Sequence, residues 1–266
     1  MKLNQKIAIL GAGNIGISIA EGLRNSGILS ASNVFLTRRN ISAIKEYADK
    51  KYTITTDNIL AVKSAQIIIL AIQPQQLNIL LTEIQPFLTS KHLIISVVSG
   101  ASISAIKKLV GENIKVARAM PNTAIAIQES MTCITAGDKT SLNITKKIFD
   151  VLGSTVEISE DLMIPATALC ACGIAFFLRA VRAASQGGIE IGFHSDEALL
   201  MAAQTAKGAA ALLLSNHQHP ENEVDKVTTP RGCTISGLNQ MEHHGFSSAM
   251  IKGIVTSADK AAKLYS

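Results

Sequence analysis

Ile7-Ala8-Ile9-Leu10-Gly11-Ala12-Gly13-Asn14-Ile15-Gly16 is an apolar run that breaks into glycines at the spacing G-x-G-x-x-G. That order reads as a buried strand, a tight turn and a helix start, and the helix continues through Ile17-Ser18-Ile19-Ala20-Glu21-Gly22-Leu23. Gly11 makes the turn, Gly13 lets a pyrophosphate approach the backbone, and Gly16 lets the helix pack close to the strand. The free N–H groups and the dipole of such a helix start favour phosphate. Gly11, Ala12, Gly13, Asn14, Ile15 and Gly16 are therefore candidate contacts to a dinucleotide cofactor.

The rest of the composition suits that beginning. A chain of 266 residues is long enough for two domains, and at 47% hydrophobic and 4% aromatic its core is built from Ala, Ile, Leu and Val. The net charge of +5 is carried by scattered Lys and Arg without interleaved aromatics. It points to an anionic cofactor or a small acidic substrate, not to nucleic acid. Cys133, Cys170, Cys172 and Cys233 form no C-x-x-C and no metal-like pairing with the histidines. They read as reduced thiols of a cytoplasmic protein, with Cys170, Cys172 and Cys233 as small buried packers. The uncharged apolar run 162–178 is shorter than the ~20 apolar residues of a membrane span, so no membrane partner is expected.

Beyond the first helix, Asn33-Val34-Phe35-Leu36-Thr37 reads as a second strand that ends at Arg38-Arg39. An acid at this place binds the ribose 2′-hydroxyl of NAD, whereas arginine accommodates the 2′-phosphate of NADP. Two arginines and no acid select NADPH, with NADH as the lesser possibility. Ser42 is placed as the cap of a helix through 44–51, and Asn58 follows a short extended piece at 52–55. The apolar runs 66–72 and 93–98 read as parallel strands covered on both faces, with a helix through Leu77, Leu80, Leu81 and Ile84 between them. Ligands lie at the carboxyl ends of such strands, which adds Ala71, Gln73, Pro74, Val98 and Ser99, with Asn58, to the cofactor-binding candidates. Further strands are read at 114–123, 131–135 and 154–158, with a helix over 142–152.

From Asp161 onward no strand-like run returns. Ala-rich helices are expected over about 162–192, 196–216 and 247–265, with Ser195 capping the second. The expected domains are 1–160, an NAD(P)-binding Rossmann-type doubly wound parallel sheet, and 161–266, an all-helical dimerisation and substrate-binding domain. A helical half this poor in charge between 162 and 178 argues for a homodimer or a higher homo-oligomer. The long connection 216–232 ends in a turn at Pro230 and Gly232, after which Cys233 or Thr234 starts a short helix. Backbone N–H groups and hydroxyls at a helix start make a cradle for a carboxylate.

Several stretches together resemble the pyrroline-5-carboxylate reductases: the glycine fingerprint, Ala71-Ile72-Gln73-Pro74-Gln75, Arg118-Ala119-Met120-Pro121-Asn122-Thr123, the helix 167–193, and Asp225-Lys226-Val227-Thr228-Thr229-Pro230-Arg231-Gly232-Cys233-Thr234. The last is similar to the family signature D-x-V-T-S-P-G-G-T-T and is far more specific than a glycine turn. The chain departs from the family pattern at Gln73 (usually lysine), Ala124 (proline), Arg182 (glutamate) and Cys170–Phe176 (S-G-S-G-P-A-Y). Within the signature, Thr229, Arg231 and Cys233 stand for serine, glycine and threonine.

The resemblance implies reduction of the cyclic imine Δ1-pyrroline-5-carboxylate to L-proline, the last step of proline biosynthesis. It also implies a helical half that interleaves with a partner's. An imine that enters protonated needs no strong general acid, which accounts for the lack of a paired-carboxylate or His/Asp constellation. Thr234 is assigned the catalytic contact to the imine nitrogen. Thr229 and the backbone N–H groups of Gly232, Cys233 and Thr234 are assigned the substrate carboxylate, and no metal is expected. Arg231 is left between anion binding and a surface charge. Three other readings stand beside this one: a reductase of a related cyclic imine, a β-hydroxyacid dehydrogenase, whose lysine base has only Lys207 as a candidate and without the G-x-x-G-x-x-x-K context, and a non-catalytic dinucleotide-binding paralogue.

Overall fold

The computed structural model describes residues 3–263. Two compact units are present, one running to Cys172 and taking in the segment from Ser257, the other spanning Gly173–Thr256.

The first unit opens with β1 (Ile7–Leu10) and α1 (Asn14–Asn25), followed by β2 (Val34–Thr37), a single turn α2 (Glu46–Asp49), β3 (Thr53–Thr55), α3 (Asn58–Ser64), β4 (Ile67–Leu70), α4 (Leu77–Ile84), β5 (Leu93–Ser96) and α5 (Ile103–Val110). It continues through β6 (Lys115–Met120), β7 (Ser130–Ala136), α6 (Lys139–Phe149), β8 (Gly153–Glu157) and α7 (Met163–Ala166). The strands form one sheet in the order β3-β2-β1-β4-β5-β6-β7-β8. Because β1 lies between β2 and β4, the chain reverses direction across the sheet there and opens a crevice at the carboxyl ends of those strands.

The apolar runs explain the double winding. Side chains alternate across a strand, so a strand apolar at every position needs cover on both faces. Ile7, Ile9, Ile67, Ile69 and Ile95 pack with Ile19, Ala20 and Leu23 of α1 and with Ile148 and Phe149 of α6. Ala8, Leu10, Ile68, Leu70 and Ile94 pack instead with α3, α4 and α5, where Leu77, Leu81, Ile84 and Ile106 are fully buried.

Not every pair is parallel, which corrects the all-parallel expectation: β6 and β7 run antiparallel, with Met120 opposite Cys133. Their connection, 121–129, holds only a 3₁₀ turn (Thr123–Ile127), and a parallel return needs a crossover of about a dozen residues or more. Ser42 lies inside the 3₁₀ turn Ile41–Ile44 and does not cap a helix; the α-helix beyond it is one turn long. Helices α3 and α5 have no counterpart in the sequence reading. Their signals are the capping residues Asp57 and Ser102, whose side chains accept from the N–H groups of Leu60 at 2.9 Å and Ala105 at 3.0 Å.

The second unit holds α8 (Gly173–Glu190), α9 (Ser195–Asn216), α10 (Pro220–Val227), α11 (Cys233–His243) and most of α12 (Phe246–Ala261). Three expectations are corrected. The helix expected over 162–192 is interrupted by a π-helical segment at Thr167–Cys172. The N-cap of α9 is His194 and not Ser195, which is the first helical residue. The supposed long connection contains α10, whose polar sequence hid it although Pro220 sits at its first position, where proline is favoured. The far end of the helix expected over 247–265 lies outside the described residues. In α8 only Gly173 and Ser185 are buried and in α9 only Ala198, while Phe177, Leu200 and Leu214 are more than half exposed. The runs Glu160–Glu190 and Ser195–Asn216 are long and apolar enough to cross a membrane by length and composition.

Asp138 caps α6, accepting from the Ser141 N–H at 2.9 Å and the Ser141 hydroxyl at 2.6 Å, and these bonds, the hydroxyl's first, hold its carboxyl below the ordinary range. A depressed carboxyl contributes stability above its unfolded pKa and loses it as pH falls through the folded one. D138A is expected to unfold about 1 kcal/mol more easily in neutral denaturant titrations. The gap to wild type should close as the titration is repeated in acid, and a gap that widens in acid would contradict the assignment.

Candidate active site

The turn between β1 and α1 is built on two close approaches. A Cβ on Gly16 would stand 2.3 Å from the Gly11 carbonyl oxygen, and one on Gly11 would stand 2.4 Å from the Ala71 carbonyl oxygen. Gly11 also has φ +101°, which side chains rarely adopt. Around Gly13, by contrast, the space is open. The glycines thus divide the work: two bring backbone onto backbone, and the third leaves room for a ligand. Gly13 is the N-cap of α1 without a side-chain capping bond. Since the first helical bond runs from Ile17 N–H to Gly13 O at 2.9 Å, the N–H groups of Asn14, Ile15 and Gly16 have no carbonyl one turn back. That is a phosphate cradle.

A cleft of about 540 Å³ opens from this turn, lined by Gly11, Ala12, Gly13, Arg38, Arg39, Asn58, Ala71 and Gln73 among the sequence candidates. Asn14 and Ile15 line an adjoining recess with Gly13 and Arg38. Gly16 is buried beneath the turn, and Pro74, Val98 and Ser99 stand off the cleft lining. They lie just past the carboxyl ends of β4 and β5, where the Val98 N–H bonds the Ser96 hydroxyl at 3.3 Å. Arg38 is anchored by donating from Nη1 to the Ala12 carbonyl at 3.0 Å, which sets its guanidinium beside the cradle; Arg39 is exposed.

Sequence reasoning missed Thr37, Gln76, Ile79, Leu80 and Glu83, which line the cleft as well; Leu10, Asn40 and Ile72 complete it. In sequence, Glu83 is only a polar position on an amphipathic helix. A larger cleft of about 710 Å³, lined by residues such as Leu3, Arg24, Ile28 and Lys51, carries no glycine cradle.

The Arg118–Thr123 stretch works as a junction within the first unit. Arg118 is 3% exposed, and its Nη1 donates to Glu160 Oε1 at 3.3 Å, while the same oxygen accepts from the Ile103 N–H at the start of α5 at 2.6 Å. Burial pulls the guanidinium below its ordinary pKa, and the Glu160 carboxylate opposes this. Asn122 donates from Nδ2 to the Cys170 carbonyl at 3.2 Å, inside the π segment. Segments of this kind are frequent at functional sites. Cys133 and Cys170 lie with their sulfurs 3.6 Å apart, a thiol contact well beyond the ~2.05 Å of a disulfide. The hydrogen bond from Cys133 lowers the Cys170 thiol to about 7 and leaves Cys133 raised. Of the three cysteines expected to be buried packers, Cys170 and Cys172 are half-buried and Cys233 is exposed.

In the second unit the signature stretch forms a tight turn into α11. The Gly232 N–H donates to the Thr229 carbonyl at 2.9 Å, so one of the three N–H groups expected to face a carboxylate instead closes the turn. Those of Cys233 and Thr234, the first residues of α11, have no helical partner. A Cβ on Gly232 would meet the Thr229 hydroxyl oxygen at 2.5 Å, which explains glycine there. Arg231 takes φ +61°, the left-handed conformation, where the family signature has glycine. Lys207, the base of the hydroxyacid reading, is exposed on α9. Among the described residues no group of three or more His, Cys, Asp or Glu is arranged to hold a metal.

Residues 160–264 match the family profile described as pyrroline-5-carboxylate reductase dimerisation, and residues 6–100 match one described as NADP oxidoreductase, coenzyme F420-dependent. Pyrroline-5-carboxylate reductase 1 of Dictyostelium discoideum is 54% identical over 100% of this chain, which spans 51% of that relative's length. Pyrroline-5-carboxylate reductase 2 of the same organism is 47% identical over 99% of this chain and 94% of its own. Among solved structures, the Plasmodium falciparum pyrroline carboxylate reductase with NADP bound superposes with a TM-score of 0.89 at 24% identity, covering 100% of both chains.

Arg231 is exposed, and its guanidinium makes no hydrogen bond or ion pair among the described residues, so its backbone strain has no visible compensation. R231G is expected to raise stability by about 0.5–1 kcal/mol in thermal or denaturant unfolding, the left-handed relief outweighing glycine's added unfolded-state entropy. A fall in stability would show that the guanidinium holds a contact of its own.

Proposed function

The chain belongs to the pyrroline-5-carboxylate reductase family, and from that premise we propose that it reduces Δ1-pyrroline-5-carboxylate to L-proline with NADPH as the preferred reductant. The observation that carries the cofactor reading is the β1–α1 turn, where Gly11 and Gly16 have no room for a Cβ while Gly13 faces open space. The Plasmodium falciparum relative has NADP bound, which supports the same cofactor class here. When bound, NADPH supplies the hydride that the reduction needs.

The chain's own residues hold and orient. The N–H groups at the start of α1 receive the pyrophosphate, while Arg38 and Arg39 receive the 2′-phosphate by charge-assisted bonds. Asn58, Ala71 and Gln73 line the same cleft. Pro74, Val98 and Ser99, past the ends of β4 and β5, are assigned to the nicotinamide end. The free N–H groups of Cys233 and Thr234 hold the substrate carboxylate with the Thr229 hydroxyl, and the Thr234 hydroxyl bonds the ring nitrogen. With the imine entering protonated, orientation and exclusion of water are the protein's main contributions.

The uncovered apolar residues of α8 and α9, in a region matching a dimerisation profile, fit burial against a second copy better than a membrane. We take the working form to be a homodimer. We take the setting to be reducing and cytoplasmic, where Cys133 and Cys170 stay a hydrogen-bonded pair of thiols.

T234V keeps the shape of the side chain and removes its hydroxyl. It is expected to lower kcat/KM for the imine about a hundredfold while leaving the Kd for NADPH unchanged. Unchanged kcat/KM would remove Thr234 from the mechanism. R38A should raise KM for NADPH about tenfold and barely alter KM for NADH, since only the former carries the 2′-phosphate. An equal rise for both would place Arg38 elsewhere.

A further inference from the structure

The far wall of the dinucleotide cleft carries a chain of hydrogen bonds that the phosphate cradle does not use. The Thr37 hydroxyl, at the end of β2, donates to Asn58 Oδ1 at 2.7 Å. Asn58, the first residue of α3, turns its Nδ2 toward both carboxylate oxygens of Glu83 at 3.3 and 3.2 Å. The orientation of the Asn58 amide is fixed by chemistry: a carboxylate only accepts, so the amide nitrogen must face Glu83. Two residues from β2 and α3, distant in sequence from each other and from α4, thus hold the Glu83 carboxylate at the rim of the cleft.

What stands beside that carboxylate decides its use. Ile79 lies one helical turn before Glu83, on the same face of α4, and is 74% exposed although it lines the cleft. That face therefore presents an apolar surface that ends in an anion. Arg38 and Arg39 line the cleft as well, and they make a cationic corner suited to phosphate. A carboxylate would repel a phosphate but accepts readily from an amine. A flat heterocycle lying on Ile79 with an exocyclic amino group at its edge matches the first wall; a phosphorylated ribose matches the second.

We propose that Glu83 reads the adenine base of the cofactor by accepting a hydrogen bond from its 6-amino group, with Asn58 and Thr37 as positioning residues that hold the carboxylate. The inference rests on the dinucleotide reading of the cleft. Its discriminating power comes from sign: a base carrying a 6-oxo group in place of the amine sets one acceptor against another and loses the bond.

The test is a binding measurement. Kd values of the full chain for NADPH, for NADH and for the 6-oxo analogue of NADPH, nicotinamide hypoxanthine dinucleotide phosphate (reduced), are determined by fluorescence titration for wild type, E83Q and E83A. Glu83 is exposed, so both variants are expected to fold, and their melting temperatures check this. Wild type should bind NADPH at least tenfold more tightly than the analogue. Each variant should shrink that ratio fivefold or more, because glutamine can also donate to the oxo group and alanine does neither. A wild-type ratio near one, or a ratio that both variants leave within twofold, overturns the proposal while leaving the dinucleotide site intact. A change confined to the NADPH-to-NADH ratio also overturns it, since the carboxylate would then be reading the ribose. Failure of wild type to bind either dinucleotide removes the cofactor reading itself.

Discussion

The structure of the first unit depends on how closely α1 can come to β1. Gly16 rests against the Gly11 carbonyl and Gly11 against the Ala71 carbonyl, at distances that no side chain permits. The contacts tie together the end of β1, the start of α1 and the end of β4, the elements that flank the sheet's reversal. Because the helix start is pressed so near the strand, its unbonded N–H groups stand at the edge of the crevice. The same steric constraint that packs the fold therefore aims the cradle.

Around this point charge and apolar surface are laid out in order. Arg38 is held by a backbone carbonyl of the glycine turn itself, so the cradle and the cation beside it move as one piece. Opposite them, α4 buries Leu77, Leu80, Leu81 and Ile84 against the sheet while Ile79 and Glu83 remain at the cleft. One helix thus serves the core with one face and a ligand surface with another. In the second unit the turn before α11 repeats the logic on a smaller scale: a glycine admits a threonine hydroxyl, and a helix start presents two free N–H groups.

Most of the fold was legible because its signals are local. The runs around Ile7, Ile67 and Leu93 are apolar at successive positions, which only a strand covered on both faces requires, and the spacing of Leu77, Leu80, Leu81 and Ile84 can only be helical. The errors fall where the decisive information is distant or brief. The antiparallel β6–β7 pair follows from a connection too short for a crossover, a matter of geometry and not of residue type. Helices α3 and α5 are two turns long, too short for periodicity, and announce themselves only by Asp57 and Ser102. At the site, the glycine cradle and Arg38 could be read from spacing. The Thr37–Asn58–Glu83 chain could not, since its members meet only when the sheet order brings β2, α3 and α4 to one cleft. The closure of Gly232 N–H onto Thr229 likewise depends on the left-handed backbone of Arg231, a residue type that gives no hint of it.

Reduction of the imine is the proposed activity, with the glycine cradle assigned to NADPH and the Thr229–Thr234 turn assigned to the substrate. It is tested most directly by incubating the purified chain with NADPH and Δ1-pyrroline-5-carboxylate and following nicotinamide absorbance together with chiral analysis of the product. Loss of one NADPH for each L-proline formed is the expected result. NADPH binding with no turnover of the imine, or turnover only of a hydroxyacid with NADP, would contradict it.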